Sequence, residues 1–446
     1  MEILIALVVV VIFMVVAASK YKFHPFLSLL LASIVMGFVG GLTEKEITAT
    51  LTTGFGKTLG SIGIIIAFGT IIGAYLEKSG GAKTMANWAL NTIGKSRSVL
   101  AMNITGFIVS IPVYCDSGFI ILSSLNKAIS KRTKIPLVVL AVALAGGLYT
   151  AHVFIPPTPG PLAATAALEA DLGLVILLGI VVSFPVSLVS YFWANYLQKR
   201  YKNIVDTESI VDNITEADNP SQGIPKTSTA FMPIIVPIIL IALKSIADYP
   251  THPFGEGIYS RIVNFIGNPI IALLIGVFLA FKLKNKVKEA VHFNWIGEGL
   301  KEAGVIILIT GAGGAFGSIL QATGIGDIIG NSFSNFNLGL FLPFLIAAVL
   351  KTAQGSSTVS IITTAAIMAP ILTSFGLDSA LGKALSVLAI GAGAMTVSHL
   401  NDSYFWVVAQ FSGMDTPTAL KTQTVSTLLQ GVFGILLILI IGWIFI

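Results

Sequence analysis

Charge is what this chain lacks. Asp, Glu, Lys and Arg make up 11% of its 446 residues, against 55% hydrophobic residues. Soluble domains carry roughly 25% charged residues, so this chain cannot cover an ordinary water-facing surface and reads as an all-α polytopic membrane protein. A mean hydropathy of +0.90 agrees. Cysteine is nearly absent: the single Cys115 excludes an intramolecular disulfide. The chain has five histidines and no H-E-x-x-H or comparable ligand pair at helical spacing, which argues against a metal site and against an intramembrane metalloenzyme. There is no long cationic face either. The net charge of +5 comes from Lys and Arg in short loops, as expected of cytoplasmic loops and not of a nucleic-acid binder. The apolar start, Ile3–Ala18, has no basic leader and no A-x-A cleavage site, so it reads as a first spanning helix and not a signal peptide. Glycine is plentiful, with 44 residues, as close helix packing in lipid requires.

The most informative stretch lies between Arg97 and Lys131. Lys95 and Arg97 precede it, and Lys127, Lys131, Arg132 and Lys134 follow, so both flanks read as cytoplasmic. Two crossings would need about 40 apolar residues plus a turn, and too few are available. The segment is therefore expected to be a re-entrant hairpin, with Pro112, Tyr114, Asp116, Ser117 and Gly118 at its tip. Non-helical backbone at that depth survives only inside protein or along a wet cavity, which points to a substrate site.

The same order of features recurs in the second half. Gly69–Ala82 (GTIIGAYLEKSGGA) aligns with Gly313–Gly326 (GGAFGSILQATGIG). Each is followed by a hairpin candidate, the second being Leu338–Leu372 broken at Lys351–Thr358. Each hairpin is followed by a helix that ends in a His-bearing break, first at His152 before Pro156–Pro161, then at His399–Asp402. Gly73 and Gly317 are 244 residues apart, and His152 and His399 are 247 apart. The Gly-rich helix runs inward in the first copy and outward in the second. This is the pattern of two inverted repeats, each with a re-entrant hairpin and a broken helix, in a secondary transporter. The expected division is residues 1–198, a polar cytoplasmic linker at 199–229, and residues 230–446. A passive channel fits less well, because no rings of charge suited to lining a pore are present.

The broken segments supply the candidate site. Unwound helix ends bind anions through free N–H groups and the helix dipole. Gly355, Ser356, Ser357 and Thr358 offer hydroxyls and flexible backbone, with Thr158 and Gly160 in the opposite repeat. Such groups suit a small polyhydroxylated carboxylate. Lys351 is the one cation deep in an apolar run; it either meets the substrate, snorkels, or pairs with Asp116 or Asp402. Asp116, His152, His399 and Asp402 are the ionisable groups open to proton coupling, since such groups are costly inside a membrane unless paired or wet. Plainer readings stand beside these. In these, Asp116 is a hydrated or capping carboxylate, each histidine a buried ring bonded to a loose carbonyl, Asp402 the cap of a helix at Ser403, and the Ser/Thr cluster packing glue.

At these residues the chain resembles the gluconate permease family of gluconate:proton symporters. The likeness rests on KFHPFL (Lys22–Leu27), GAGGAF (Gly311–Phe316), H-x-F-x-P-P-x-P-G-P (His152–Pro161), G-S-S-T-V (Gly355–Val359) and S-H-x-N-D-x-x-F-W (Ser398–Trp406), and it spans nearly the whole chain. The resemblance implies a bacterial inner-membrane, multi-pass symporter of sugar acids such as gluconate. Its only other requirements would be the proton gradient and the lipid bilayer; it needs no bound cofactor, and sodium remains an alternative coupling ion near Asn401 and Asp402. It also implies an elevator-type transport domain moving against a dimeric scaffold, hence a homodimer. Carried over, the substrate site falls on Asp116, Ser117, His152, Thr158, Gly355–Thr358, His399, Asn401 and Asp402. Two departures bear on the substrate: the family pattern has Glu where Asp116 stands and His where Thr158 stands. A shorter aldonate or D-serine is therefore an alternative cargo.

Overall fold

A computed structural model describes residues 2–19, 21, 23–94, 97–200, 225–247, 257–283, 289–325, 339–400 and 402–445. Among them there is no strand. The helices are α1 (Glu2–Ser19), α2 (Pro25–Val39), α3 (Glu44–Lys78), α4 (Gly81–Ile93), α5 (Ser98–Val109), α6 (Cys115–Thr133), α7 (Leu137–Phe154), α8 (Pro159–Ala167) and α9 (Leu172–Arg200) in the first half. The second half has α10 (Thr227–Ala247), α11 (Ile258–Ile266), α12 (Pro269–Phe281), α13 (Glu289–Ala322), α14 (Phe341–Gln354), α15 (Ser357–Met368), α16 (Ala380–Met395), α17 (Ser403–Phe411), α18 (Thr416–Ala419) and α19 (Val425–Phe445). Among the described residues, five helices are long and apolar enough to cross a membrane, or up to seven if each bent pair counts as one span. The expected linker at 199–229 falls largely outside the described residues.

Local chemistry sets the helix boundaries. Thr43 and Glu46 form a reciprocal cap, Thr43 N–H donating to Glu46 Oε2 (2.8 Å) and Glu46 N–H to Thr43 Oγ1 (3.3 Å). It starts α3 at Glu44, although the apolar run Leu59–Leu76 from which the sequence reads this spanning helix begins fifteen residues later, because a helix end follows its cap and not the edge of its apolar run. α13 is likewise longer than Gly304–Leu320, the apolar run from which the sequence reads it. Two stretches that the sequence reads as loops, one between Lys78 and Arg97 and one between Asp248 and Asn268, contain the helices α4 and α11. α4 buries Ala82, Met85, Ala86 and Ala89 along one face. α11 exposes Ile258, Ile262 and Phe265, four and three residues apart, and buries only Ser260. α9 and α10 run on through Pro185 and through Pro233 and Pro237.

Both expected hairpins are helix–break–helix units. α5 and α6 are separated by Ser110–Tyr114, and α14 and α15 by Gly355 and Ser356. Both expected broken helices also form, α7/α8 around Pro156–Thr158 and α16/α17 around Thr396–Asp402.

Packing is reciprocal between the halves. α2 lies on α13 and α12 on α3; α1 pairs with α2 and α10 with α12. α5 packs on α7 as α14 packs on α16, and α7 packs on α9 as α16 packs on α19. The pieces beyond the breaks are exchanged, α8 lying against α15 of the second hairpin and α17 against α6 of the first. α3 and α13 meet each other and run antiparallel, since Gly54 adjoins Ser318, Gly63 adjoins Ile307 and Lys78 pairs with Glu298. Gly63 and Ile307 are themselves 244 residues apart, the Gly73–Gly317 spacing. Equivalent positions therefore touch where the two helices cross, as a two-fold relation requires.

The tightest helix contacts are backbone to backbone. A Cβ on Gly147 of α7 would fall 2.0 Å from the Asn103 carbonyl of α5, and one on Gly106 would fall 2.4 Å from the Leu144 carbonyl. Neither neighbour can rotate away. Gly147→Ala is therefore expected to force α5 off α7 at a cost of about 1–3 kcal/mol, read as a lowered melting temperature of the detergent-solubilised protein. An unchanged melting temperature would show that the two helices are not so closely seated.

Candidate functional site

Four helices, α6, α8, α15 and α17, begin at the four breaks, so four N-termini face the region where the halves exchange pieces. The two repeats treat their N-termini differently.

In the second repeat they are closed. The last turn of α14 carries Lys351, favourable against the negative end of the helix dipole, and the helix ends at Gly355, in the left-handed region at φ 84°. Lys351 is fully buried. Its Nζ donates to Asp402 Oδ2 at 2.6 Å and to the Gly355 carbonyl at 2.5 Å, and sits 5.8 Å over the Tyr149 ring. Asp402, also buried, caps α17 by accepting from Tyr404 N–H at 3.0 Å, and it accepts from Ser398 Oγ. Ser398 is held by α19, its N–H donating to Thr427 Oγ1 at 3.0 Å. His399 Nε2 lies 2.8 Å from the Thr352 carbonyl of α14. Ser356 caps α15, accepting from Val359 N–H at 3.3 Å. Of the alternatives open for Lys351, the geometry has the Asp402 pair; Asp402 is the cap of α17, and His399 meets a loose carbonyl. Asn401 lies outside the described residues.

In the first repeat the N-termini are open. Neither α6 nor α8 has a side-chain cap. Thr158 turns its hydroxyl back to the Ile155 carbonyl (2.6 Å). Tyr114 Oη, Asp116 Oδ1 and His152 Nδ1 are buried without a hydrogen-bond partner. The Tyr114 and His152 rings are 5.9 Å apart. A cleft lined by Gly69, Thr70, Pro112, Tyr114 and Pro157–Pro159 lies between the hairpin tip and the α7/α8 break. α3 can approach both because it carries glycine there: a Cβ on Gly73 would meet the Pro112 carbonyl at 2.7 Å, and one on Gly69 the Pro157 carbonyl at 3.2 Å. Ser117 is half-buried one residue beyond Asp116.

The two halves meet through Gly160, whose missing side chain would lie 3.7 Å from Thr358 Cα, so the starts of α8 and α15 cross in contact. Asp116 lies within electrostatic reach of Asp402 and Lys351. The structure thus gathers Asp116, Ser117, His152, Thr158, Gly160, Lys351, Gly355–Thr358, His399 and Asp402 around one region. Ser398, Tyr149 and Tyr404 were not candidates, and they complete it. Tyr404 Oη donates to the Ala145 carbonyl at 2.9 Å, and its ring lies 5.1 Å from that of Tyr149. Nothing in the spacing of those tyrosines marks them, since each reaches the site from a different helix. Among the described residues, no three or more His, Cys, Asp or Glu side chains are grouped to hold a metal ion.

Long apolar helices, two broken hairpins and reciprocal packing define a multi-pass membrane transporter. A family model described as "GntP family permease" matches residues 1–444. A gluconate permease of Pseudomonas aeruginosa is 32% identical, covering 97% of this chain and 96% of its own. An inner membrane permease of Escherichia coli, YgbN, is 34% identical, covering 96% and 95%. The fold is also that of the Alcanivorax borkumensis YdaH transporter, whose crystal structure was described as revealing an unusual topology (TM-score 0.66, 14% identity, 95% of this chain and 99% of that one). The chain belongs to the GntP permease family, and its relatives are permeases, not enzymes.

A buried ion pair is strongly destabilised when one partner is removed, because the remaining charge is left uncompensated. Asp402→Ala is expected to lower stability by about 3–5 kcal/mol, with α17 also losing its cap. Thermal unfolding in detergent reads this; an unchanged transition would show that Lys351 is not dependent on Asp402.

Proposed function

We propose that the protein is a proton-coupled symporter that carries a small sugar-acid anion, gluconate or a related aldonate, into the cell across the bacterial inner membrane. One observation carries this reading. Tyr114 Oη, Asp116 Oδ1 and His152 Nδ1 are buried and unpartnered beside two uncapped helix N-termini. Unpartnered buried polar groups cost free energy, so a ligand that satisfies them is bound in proportion. Free N–H groups at the start of α6 suit a carboxylate. Tyr114, His152 and Ser117, with Ser357 and Thr358 across the Gly160 crossing, suit the hydroxyls of a sugar acid. The names of the relatives support the same class of cargo.

In this mechanism Asp116 takes up a proton, which removes a negative charge from beside the incoming anion. The neutralised, loaded unit then moves the site across the membrane, with the two inverted repeats, residues 1–198 and 230–446, working as an elevator within a homodimer. His152 orients the substrate and shares the proton. Gly73 and Gly69 let the hairpin tip and the α7/α8 break lie flush on α3, a surface along which they can slide.

Uptake of labelled gluconate into proteoliposomes under an inward proton gradient tests the reading, with threonate and D-serine as competitors. Accumulation that collapses with a protonophore is expected, and the competitors rank the cargo. Accumulation driven by sodium alone would overturn proton coupling; uptake of none of the three would overturn the sugar-acid assignment. Asp116→Asn is expected to lose proton-driven accumulation while keeping substrate exchange, and full accumulation by that variant removes Asp116 from coupling. Tyr114→Phe is expected to raise KM about five- to tenfold, the equivalent of about 1–1.4 kcal/mol; an unchanged KM removes Tyr114 from the site.

A further inference from the structure

We infer that Lys351 and Asp402 are not ligands of substrate or proton but a charge-neutral latch that closes the seam between α14 and α17 in the second repeat, leaving the open helix starts of the first repeat to take the substrate's carboxylate. The pair joins two helix ends 51 residues apart in sequence, the C-terminal end of α14 and the N-terminal start of α17. Each charge has its partners already. The ammonium donates to Asp402 Oδ2 at 2.6 Å and to the Gly355 carbonyl at 2.5 Å. The carboxylate accepts from Lys351, from Ser398 and from Tyr404 N–H. With side-chain exposures of 0% and 5%, neither group has a free face for a substrate to occupy. The contact of His399 Nε2 with the Thr352 carbonyl closes the same seam a second time, at 2.8 Å.

Among the described residues, the breaks of the first repeat have no such latch. α5, the counterpart of α14, carries no charged residue. The residue that precedes α8 as Asp402 precedes α17 is Thr158, 244 residues earlier, an uncharged side chain whose hydroxyl turns back to the Ile155 carbonyl. Where the second repeat places an ion pair, the first leaves Tyr114, Asp116 and His152 with unsatisfied atoms. A carboxylate supplied from outside would stand at the uncapped helix starts of the first repeat as the Asp402 carboxylate stands at the start of α17. The second repeat therefore carries a built-in equivalent of the bound anion, and only the first hairpin needs substrate to close. Because the latch is neutral as a unit, it adds no charge movement when the site crosses the membrane potential. Lys351 and Asp402 are thus positioning residues for the transport proposed above.

The test is a charge-pair cycle, K351M, D402N and K351M/D402N, with the reversed pair K351D/D402K as a fourth variant. Each single substitution leaves one buried charge unpaired, and uptake is expected to fall by tenfold or more together with the melting temperature. The uncharged double variant is expected to recover most of the melting temperature and at least a third of uphill accumulation, with an unchanged pH profile and unchanged charge moved per substrate. Recovery of exchange without uphill accumulation would overturn the inference, because Asp402 would then carry the proton. A double variant with normal stability but a KM as poor as that of K351M would also overturn it, because Lys351 would then bind the substrate. If neither the uncharged nor the reversed pair folds better than the single variants, the pair is not a latch. The stability arm does not depend on what is transported, so its result stands apart from the cargo assignment.

Discussion

In the interior of a bilayer a backbone amide has no water to fall back on, and each unpaired group costs several kcal/mol. Most of this structure can be understood as the consequence of breaking that rule in four places and containing the result. The breaks at Ser110–Tyr114, Pro156–Thr158, Gly355–Ser356 and Thr396–Asp402 release donors and acceptors that a continuous helix would have consumed. They are tolerated because each lies against other protein. Gly73 brings α3 onto the Pro112 carbonyl, Gly69 brings it onto the Pro157 carbonyl, and Gly160 lets the start of α8 meet Thr358. Small residues are what allow exposed backbone to be covered at such short range.

The two halves handle those released groups in opposite ways, although their topology is reciprocal. The second uses side chains of its own: Ser356 and Asp402 cap their helices, and Lys351 neutralises Asp402. A single charge moved through 100 mV costs about 2.3 kcal/mol, so a paired Lys and Asp travel far more cheaply than either alone. The first half leaves α6 and α8 uncapped, and at its breaks Tyr114 Oη, Asp116 Oδ1 and His152 Nδ1 have no hydrogen-bond partner. Unpartnered polar atoms at one pair of breaks, beside paired ones at the other, are a physical reason for substrate to engage one hairpin in preference to the other.

Much of the architecture was legible in the chain itself. Hydropathy marked the long helices α7, α9, α10 and α19; proline or glycine marked three of the breaks, and the polar run His399–Asp402 marked the fourth. The repeat was legible from the order of its breaks and from the Gly73–Gly317 and His152–His399 spacings, and the contact of Gly63 with Ile307 falls at the same separation. Helix ends governed by polar caps were not legible from hydropathy: Thr43 and Glu46 begin α3 some fifteen residues before its apolar run, though their spacing was a usable signal. The short helices α4 and α11 were missed because each is amphipathic over too few turns to stand out from a loop.

That polar and ionisable groups stand at the helix breaks was determined by the sequence alone, because such groups are too costly in an apolar segment to be placed there without a use. What each one does with its neighbours was decided only by the tertiary structure. Whether Lys351 met substrate, Asp116 or Asp402 depended on how the end of α14 and the start of α17 approach one another, 51 residues apart in sequence. The role of Tyr114 was equally beyond reach, because a hydroxyl's lack of a partner is a property of everything packed around it. Hydrophobic pattern is local and periodic and so can be read along a chain. Pairing is a matter of distances of a few ångströms between remote segments, and only the folded molecule sets those.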